Sequence, residues 1–401
     1  MPRKSPVATP PADAPAASSG APARSSRADL LGPRSHAAFM REYWHKQALL
    51  VRAAVPGFNG LYSRDGLIAL AGRDDVESRL VLRERGSWSC EPGPFPRSRF
   101  RLLPSKGWTL LVQGVNLVDD RGDALLRRFA FIPYARLDDL MVSYAAPEGG
   151  VGPHFDSYDV FLLQGRGRRR WRYGRQKDLS LVPDLPLRIL RRFEPDHDEV
   201  LQPGDMLYLP PAYAHDGIAL DACTTYSIGF RAASHDEIAK AFLDFLHSEL
   251  TLLGRYADPQ LGATRRPARI DPQMQSAVAR TLRDIRWNRA SVNRFLGRFL
   301  TEPKPHVVFD PPGVALGFRD FAARATSEGV ALDLRAQLLY DTRELYLNGE
   351  IVDVPADGRA LLTRLADLRA LPARSLADAP ASVLRLLHQW YRDGFLHTPA
   401  R

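Results

Sequence analysis

The chain has 401 residues, of which 45% are hydrophobic, so it can bury the cores of two or three domains and is neither a disordered nor a fibrous chain. Its two cysteines, Cys90 and Cys223, cannot make a disulfide framework and form no C-x-x-C pair, which favours a reducing, cytoplasmic setting. Fifty-five Lys and Arg against 46 Asp and Glu leave a net charge of +9; this favours proximity to a ribosome or RNA, although an Arg- and Ala-rich composition accounts for it equally well.

Residues 1–28 are rich in Pro, Ala and Ser and have no apolar core, which predicts a disordered tail and not a secretory signal. No apolar run approaches the ~20 residues of a membrane helix, so no membrane partner is expected. Phe39–Trp44 predicts a short helix leading into a strand at Ala48–Arg52. From about residue 75 the pattern becomes strand-like. Gly107–Gln113, Leu140–Tyr144, Asp159–Gln164, Trp171–Tyr173, Asp205–Leu209 and Thr224–Phe230 are β-rich and separated by Gly and Pro turns, which predicts a barrel or sandwich.

Helical spacing begins near Ser234, with Asp236 as the candidate cap and Ile238, Phe242, Phe245, Leu246, Leu250 and Leu253 on the apolar side. A second helical stretch is predicted from about Gln273 to Leu300, serving either same-chain packing or a dimer. Leu345–Val354 carries Asn348-Gly349, a hairpin signal, and helices follow at Gly358–Leu371 and Ser382–Tyr391. A hairpin with helices resembles a winged helix. Arg359, Arg364 and Arg369 are joined by Asp367, so nucleic-acid reading by this unit is one alternative among several.

The chemistry sits in Gly149-Gly150-Val151-Gly152-Pro153-His154-Phe155-Asp156. In a strand, residues two apart point the same way, so His154 and Asp156 project together. His215 lies 61 positions on, after Pro203-Gly204-Asp205 and Pro210-Pro211. An H-x-D alone is weak, and ordinary hydrogen-bonded histidines are the plain alternative. The Gly-rich lead and the distant His after a strand strengthen the metal reading. Two nitrogens and one oxygen suit Fe(II), with open positions, better than a closed structural zinc site. The run Arg166–Arg172 reads either as a solvated edge or as a strand turning one guanidinium inward. Alternation groups Arg169 with Trp171 and Tyr173; with a hairpin turn at Gly165-Arg166, Arg169 would pair with Leu162 and face inward. An inward guanidinium calls for an anion, such as a dicarboxylate.

Residues 140–231, through "GGVGPHFDSYDVFLLQGRGRRRWRYG" and "YLPPAYAHDGIA…YSIGFRA", resemble the JmjC/cupin-type ribosomal oxygenases, especially the bacterial protein-arginine hydroxylases. The resemblance implies an α+β chain. It would have a double-stranded β-helix (jelly-roll, cupin, JmjC) barrel at 29–233, a helical dimerisation segment at 234–300 and a winged-helix-like domain at 301–401. It implies an enzyme using Fe(II), 2-oxoglutarate and O2, with His154, Asp156 and His215 as metal ligands and Arg169 on the far carboxylate. Ser143 and Thr225 fall on neighbouring strands as candidate helpers, Thr225 standing where an asparagine is expected. The implied substrate is an arginine of a large-subunit ribosomal protein of the L-sixteen family, with Asp119, Asp120, Asp159 and Tyr158 as candidate pocket residues. A ribosomal histidine, demethylation of N-methyl-lysine, a non-catalytic binding protein and a nucleic-acid regulator are the alternatives.

Overall fold

The structure, a computed structural model, describes residues 30–398. The predicted N-terminal tail lies outside the described residues. Twelve strands build the first part of the chain: β1 (Leu49–Val51), β2 (Ser78–Glu84), β3 (Ser87–Pro92), β4 (Trp108–Val112), β5 (Leu137–Ala145), β6 (His154–Phe155), β7 (Val160–Gln164), β8 (Arg169–Gly174), β9 (His197–Leu201), β10 (Met206–Leu209), β11 (Ala214–Ala219) and β12 (Cys223–Phe230). They form an eight-stranded sheet, β1-β10-β7-β12-β5-β4-β2-β3, and a four-stranded sheet, β6-β11-β8-β9.

The central strands β7, β10 and β12 are buried on both faces, and β7 and β10 read accordingly as nearly continuous apolar runs. Its outer face packs on α1 (His36–Glu42), α2 (Arg64–Leu70) and α3 (Asp120–Arg127) through a core that includes Phe39, Leu67, Leu126, Phe161, Tyr208, Tyr226 and Phe230. Its inner face meets the small sheet through Val160, Leu162, Leu207, Trp171, Tyr173 and Leu201. Ser35 and Ser63 cap α1 and α2 by accepting from Ala38 and Gly66.

The expected pairing of β7 with β8 is wrong. Leu162 pairs with Leu207 and Ser227, while Arg169 pairs with Ala219 and Leu201 in the other sheet. Residues 165–168 cross between sheets instead of reversing within one. Thr224 pins the crossing: its carbonyl accepts from Gly165, its Oγ1 from Arg166, and its own N–H donates to the Arg166 carbonyl. Arg169 nevertheless faces inward, because β11 carries it in phase with His215.

Beyond the sheets, α4 (His235–Glu249) is capped by Ser234 and not by Asp236. The Ser234 Oγ accepts from Glu237 N while the Glu237 carboxylate accepts from Ser234 N, a reciprocal box that Asp236 cannot make. The single helix expected over 273–300 is two: α5 (Pro272–Arg283) and α6 (Arg289–Thr301). The chain breaks where Asn288 leaves helical geometry to cap α6, accepting from Ser291. Tyr346 packs against Gly297 of α6, where a Cβ would lie 2.3 Å from its ring. The C-terminal part joins α7 (Phe318–Glu328), β13 (Val330–Leu332), β14 (Leu338–Tyr340), β15 (Leu345–Leu347), β16 (Glu350–Val352), α8 (Arg359–Leu368), β17 (Ala370–Leu371), α9 (Ala373–Leu376), α10 (Ala381–Arg392) and β18 (Leu396–His397) around its own core. The β15–β16 turn is at Asn348-Gly349, both at positive φ, as that dipeptide predicts. No helix among the described residues is long and apolar enough to cross a membrane.

Candidate active site

The site lies between the two sheets. β6 and β11 pair antiparallel with His154 directly opposite His215, their ring centroids 4.2 Å apart. Asp156 follows two residues after His154, and the Ala212 N–H donates to the Asp156 carbonyl, which ties the two ligand segments together. One ligand atom from each of His154, Asp156 and His215 lies within 4.8 Å of the others. Each imidazole is fixed by its own main chain. His154 Nδ1 lies 2.8 Å from the Gly152 carbonyl, and His215 Nδ1 lies 2.9 Å from that of Tyr213. A carbonyl only accepts, so both Nδ1 atoms carry the proton and both Nε2 lone pairs are left for a metal. Burial pushes the His215 pKa down to about 4, with His154 adding to the shift and Asp156 opposing it. The neutral imidazole is the form that ligates.

The glycines allow the backbone approach that this requires. Gly152 has φ +80°, and a Cβ there would press on Ile189 and Trp88. At Gly149 a Cβ would lie 2.3 Å from the Trp108 carbonyl, and at Gly150 2.7 Å from that of Gly217.

Arg169 sits deeper, four residues along the β8–β11 ladder from the Tyr173–His215 pair, about 13 Å at strand rise. An arginine side chain and a five-carbon dicarboxylate together span that gap. Arg169 is 5% exposed, and its Nη1 donates to Ser143 Oγ at 3.2 Å and to Thr225 Oγ1 at 3.1 Å. Thr225 in turn donates to Gln164 Oε1 at 3.2 Å, and Gln164 Nε2 is fixed by the carbonyls of Arg166 and Gly167. Gln164 therefore takes the Thr225 proton and turns its oxygen toward the guanidinium. The guanidinium stacks 5.6 Å over the Trp171 ring, and Trp171 flanks His215. Two buried donors nearby, Arg169 Nε and Trp171 Nε1, have no acceptor within the described protein. Such a pair suits a carboxylate that arrives with a ligand.

The predicted pocket residues separate. Asp119 caps α3 and pairs with Arg121 at 2.8 Å, Asp120 is exposed on α3, and Asp159 is fully buried on the helix-covered side, accepting from Tyr208 and facing His45 at 3.1 Å. Residue 159 has the opposite strand parity to the inner face, which places it there. Only Tyr158 of the four stands by the ligands: burial raises its phenol pKa, and the Asp156 carboxylate adds to this. Two residues escaped the sequence reading. Gln164 is two positions from Leu162, and Asp139 is four from Ser143, so period-two alternation alone points both inward. Asp139 is almost wholly buried; burial raises its carboxyl pKa against the lowering effect of Lys304.

Fold and donor set together define the JmjC class of Fe(II)- and 2-oxoglutarate-dependent oxygenases. The JmjC domain profile matches residues 124–238 and the ROXA-like winged helix profile matches 284–397. Ribosomal protein uL16 3-hydroxylase of Escherichia coli (strain K12) is 34% identical over 364 residues, 89% of this chain and 96% of that protein. A probable ribosomal oxygenase of Haemophilus influenzae is 41% identical over 197 residues, 48% of each chain. The structure of the Escherichia coli ribosomal oxygenase YcfD in complex with cobalt and 2-oxoglutarate aligns with a TM-score of 0.78 at 32% identity, covering 92% of this chain and 99% of that one. The chain belongs to the JmjC-type ribosomal oxygenases.

Proposed function

We propose that this chain hydroxylates an arginine side chain of the large-subunit ribosomal protein uL16. The observation that carries the chemistry is the His154–Asp156–His215 donor set with both Nε2 atoms freed by main-chain locks, facing an interior guanidinium with unpaired donors. In this reading His154, Asp156 and His215 hold Fe(II), and Arg169, supported by Ser143 and Thr225, holds the far carboxylate of 2-oxoglutarate. Iron, co-substrate and O2 supply the oxidising power that puts one oxygen atom on a side-chain carbon. The protein orients the co-substrate from one end and excludes water by packing Trp171 and Tyr173 along the interior. A substrate guanidinium would meet Tyr158, on which the Asp156 and Asp139 carboxylates both act. The name of the Escherichia coli relative supports uL16 as the substrate.

The remaining organisation is read in the same way. Residues 29–233 form the catalytic unit, 234–300 a dimerisation segment and 301–401 the winged-helix-like unit. α5 buries no residue within its own chain, and Leu243, Leu282 and Trp287 are 64%, 59% and 58% exposed, which suits a homodimer seam. A cytoplasmic location follows from the substrate. The test is aerobic turnover of a uL16 fragment with Fe(II) and 2-oxoglutarate, together with mass spectrometry of ribosomal proteins from cells lacking the chain. A one-oxygen increment lost from a histidine and not an arginine would replace this reading with the histidine one. Released formaldehyde would point to demethylation.

A further inference from the structure

The cations of this chain fall into two sets that differ in pairing. On the outer side of the small sheet, Arg168, Arg170 and Arg172 each meet a carboxylate, Asp221, Asp198 and Asp216. Beside the metal-ligand loop the opposite holds. The β2–β3 hairpin and the β8–β9 connection converge on Gly152, where Trp88 and Ile189 both touch the site a Cβ would take. Residues 79–106 hold seven Lys and Arg against two Asp and Glu, of which Arg99 pairs with Glu91 and Lys106 with Glu148. Arg83, Arg85, Lys177 and Arg192 are exposed, and no carboxylate forms an ion pair with any of them among the described residues. Arg192 acts on Asp178 only through space.

A groove of about 840 Å³ runs along the hairpin, lined by Arg83, Arg85, Lys106 and Trp88, with Glu84 as its one carboxylate. The Arg83 guanidinium lies 5.3 Å over the Trp88 ring. Lys106 pairs with Glu148, at the start of the Gly-rich loop, so the groove abuts the site directly. Cations interleaved with an aromatic face are the chemistry of single-stranded nucleic acid: phosphates take the charge and a base takes the ring. A basic polypeptide would be repelled by the same rim.

The geometry points to this rim as an RNA-binding surface, engaging the phosphodiester backbone of a single-stranded segment beside the active site. It rests on charge placement and not on the hydroxylase reading, and either can fail without the other. The experiment uses the full chain and a fluorescein-labelled single-stranded oligouridylate, with anisotropy measured across rising potassium chloride. Binding should weaken with salt. R83Q/R85Q should lower affinity at least about tenfold and flatten the log–log salt slope by about 1.4, at ~0.7 for each lost phosphate contact. R168Q/R170Q removes the same charge from paired positions and should change binding little. K177Q/R192Q tests the other wall of the rim should the hairpin variant fail to fold. Turnover of an isolated uL16 fragment should be unaffected by R83Q/R85Q, and failure of the unaltered chain in that assay would count against the hydroxylase reading alone. Equal loss in the rim and control variants, loss in neither, or competition by polyglutamate as strong as by RNA would overturn the proposal. The last result would assign the surface to acidic proteins.

Discussion

Replacing Arg169 by Met should make the ligand-free protein more stable and the co-substrate complex weaker. The guanidinium is 5% exposed, faces neutral hydroxyls, and has an Nε with no acceptor. Exchanging a buried ion for an apolar side chain of similar length is commonly neutral or stabilising, by up to about 4 kcal/mol. Ser143 and Thr225 each lose a donor, at about 1 kcal/mol apiece. The net expectation is a gain of at most about 2 kcal/mol. Against 2-oxoglutarate the sign reverses: hydrogen bonds to charged groups contribute about 1.5–3 kcal/mol, so affinity should fall roughly ten- to hundredfold. Urea unfolding of the metal-free chain measures the first effect. The thermal shift on adding 2-oxoglutarate with Co(II) measures the second. A ligand-free Arg169→Met protein less stable than the parent, or one that binds 2-oxoglutarate as tightly, would refute the assignment of Arg169 as an anion anchor held in waiting.

Gln164→Leu frees the Thr225 hydroxyl to turn away from Arg169, and should raise the KM for 2-oxoglutarate several-fold while leaving Co(II) binding intact; steady-state kinetics with titration of the metal separates the two. Gly217→Ala places a methyl 2.7 Å from the Trp171 ring, between His215 and Arg169, and should cost about 1–3 kcal/mol by overpacking, read as a lowered urea midpoint; Gly262→Ala, with nothing within 4 Å, should be silent. His154→Ala should abolish the Co(II) absorption bands of the loaded protein and its turnover, with the fold retained by circular dichroism. Leu243→Glu with Leu282→Glu should shift the molar mass by light scattering from dimer to monomer; an unchanged mass would remove the arm from the interface.

The sequence was most legible where one residue sets one local rule. H-x-D brought two donor residues together by strand alternation, Asn348-Gly349 set a hairpin, and the β-rich segments at β7, β10 and β12 are strands. It was least legible where partners are distant. Nothing near Gly165 says whether the chain reverses within a sheet or crosses between sheets, because Thr224, 59 positions on, decides it. The inward direction of Arg169 was right although its supposed neighbour Leu162 was wrong; alternation survives a mistaken partner when both candidates share a phase. Asp159 misled because a carboxylate near the motif looks available, and only the fold reveals that Tyr208 and His45 already hold it. The break between α5 and α6 was missed because apolar spacing continued across it, while Asn288 provided the cap.

The locks on the two histidines bear on how this centre withstands mutation. Each acceptor is a peptide oxygen two residues upstream, Gly152 and Tyr213, and every amino acid supplies one. An exchange of a neighbouring side chain therefore leaves the acceptor atom in place, as it would not if a carboxylate served instead, and acts only where it moves the backbone, as at Gly152. The two histidines are thus held by main chain, while Arg169 is held by the side chains of Ser143 and Thr225, with Gln164 behind them, and its support is open to drift in sequence.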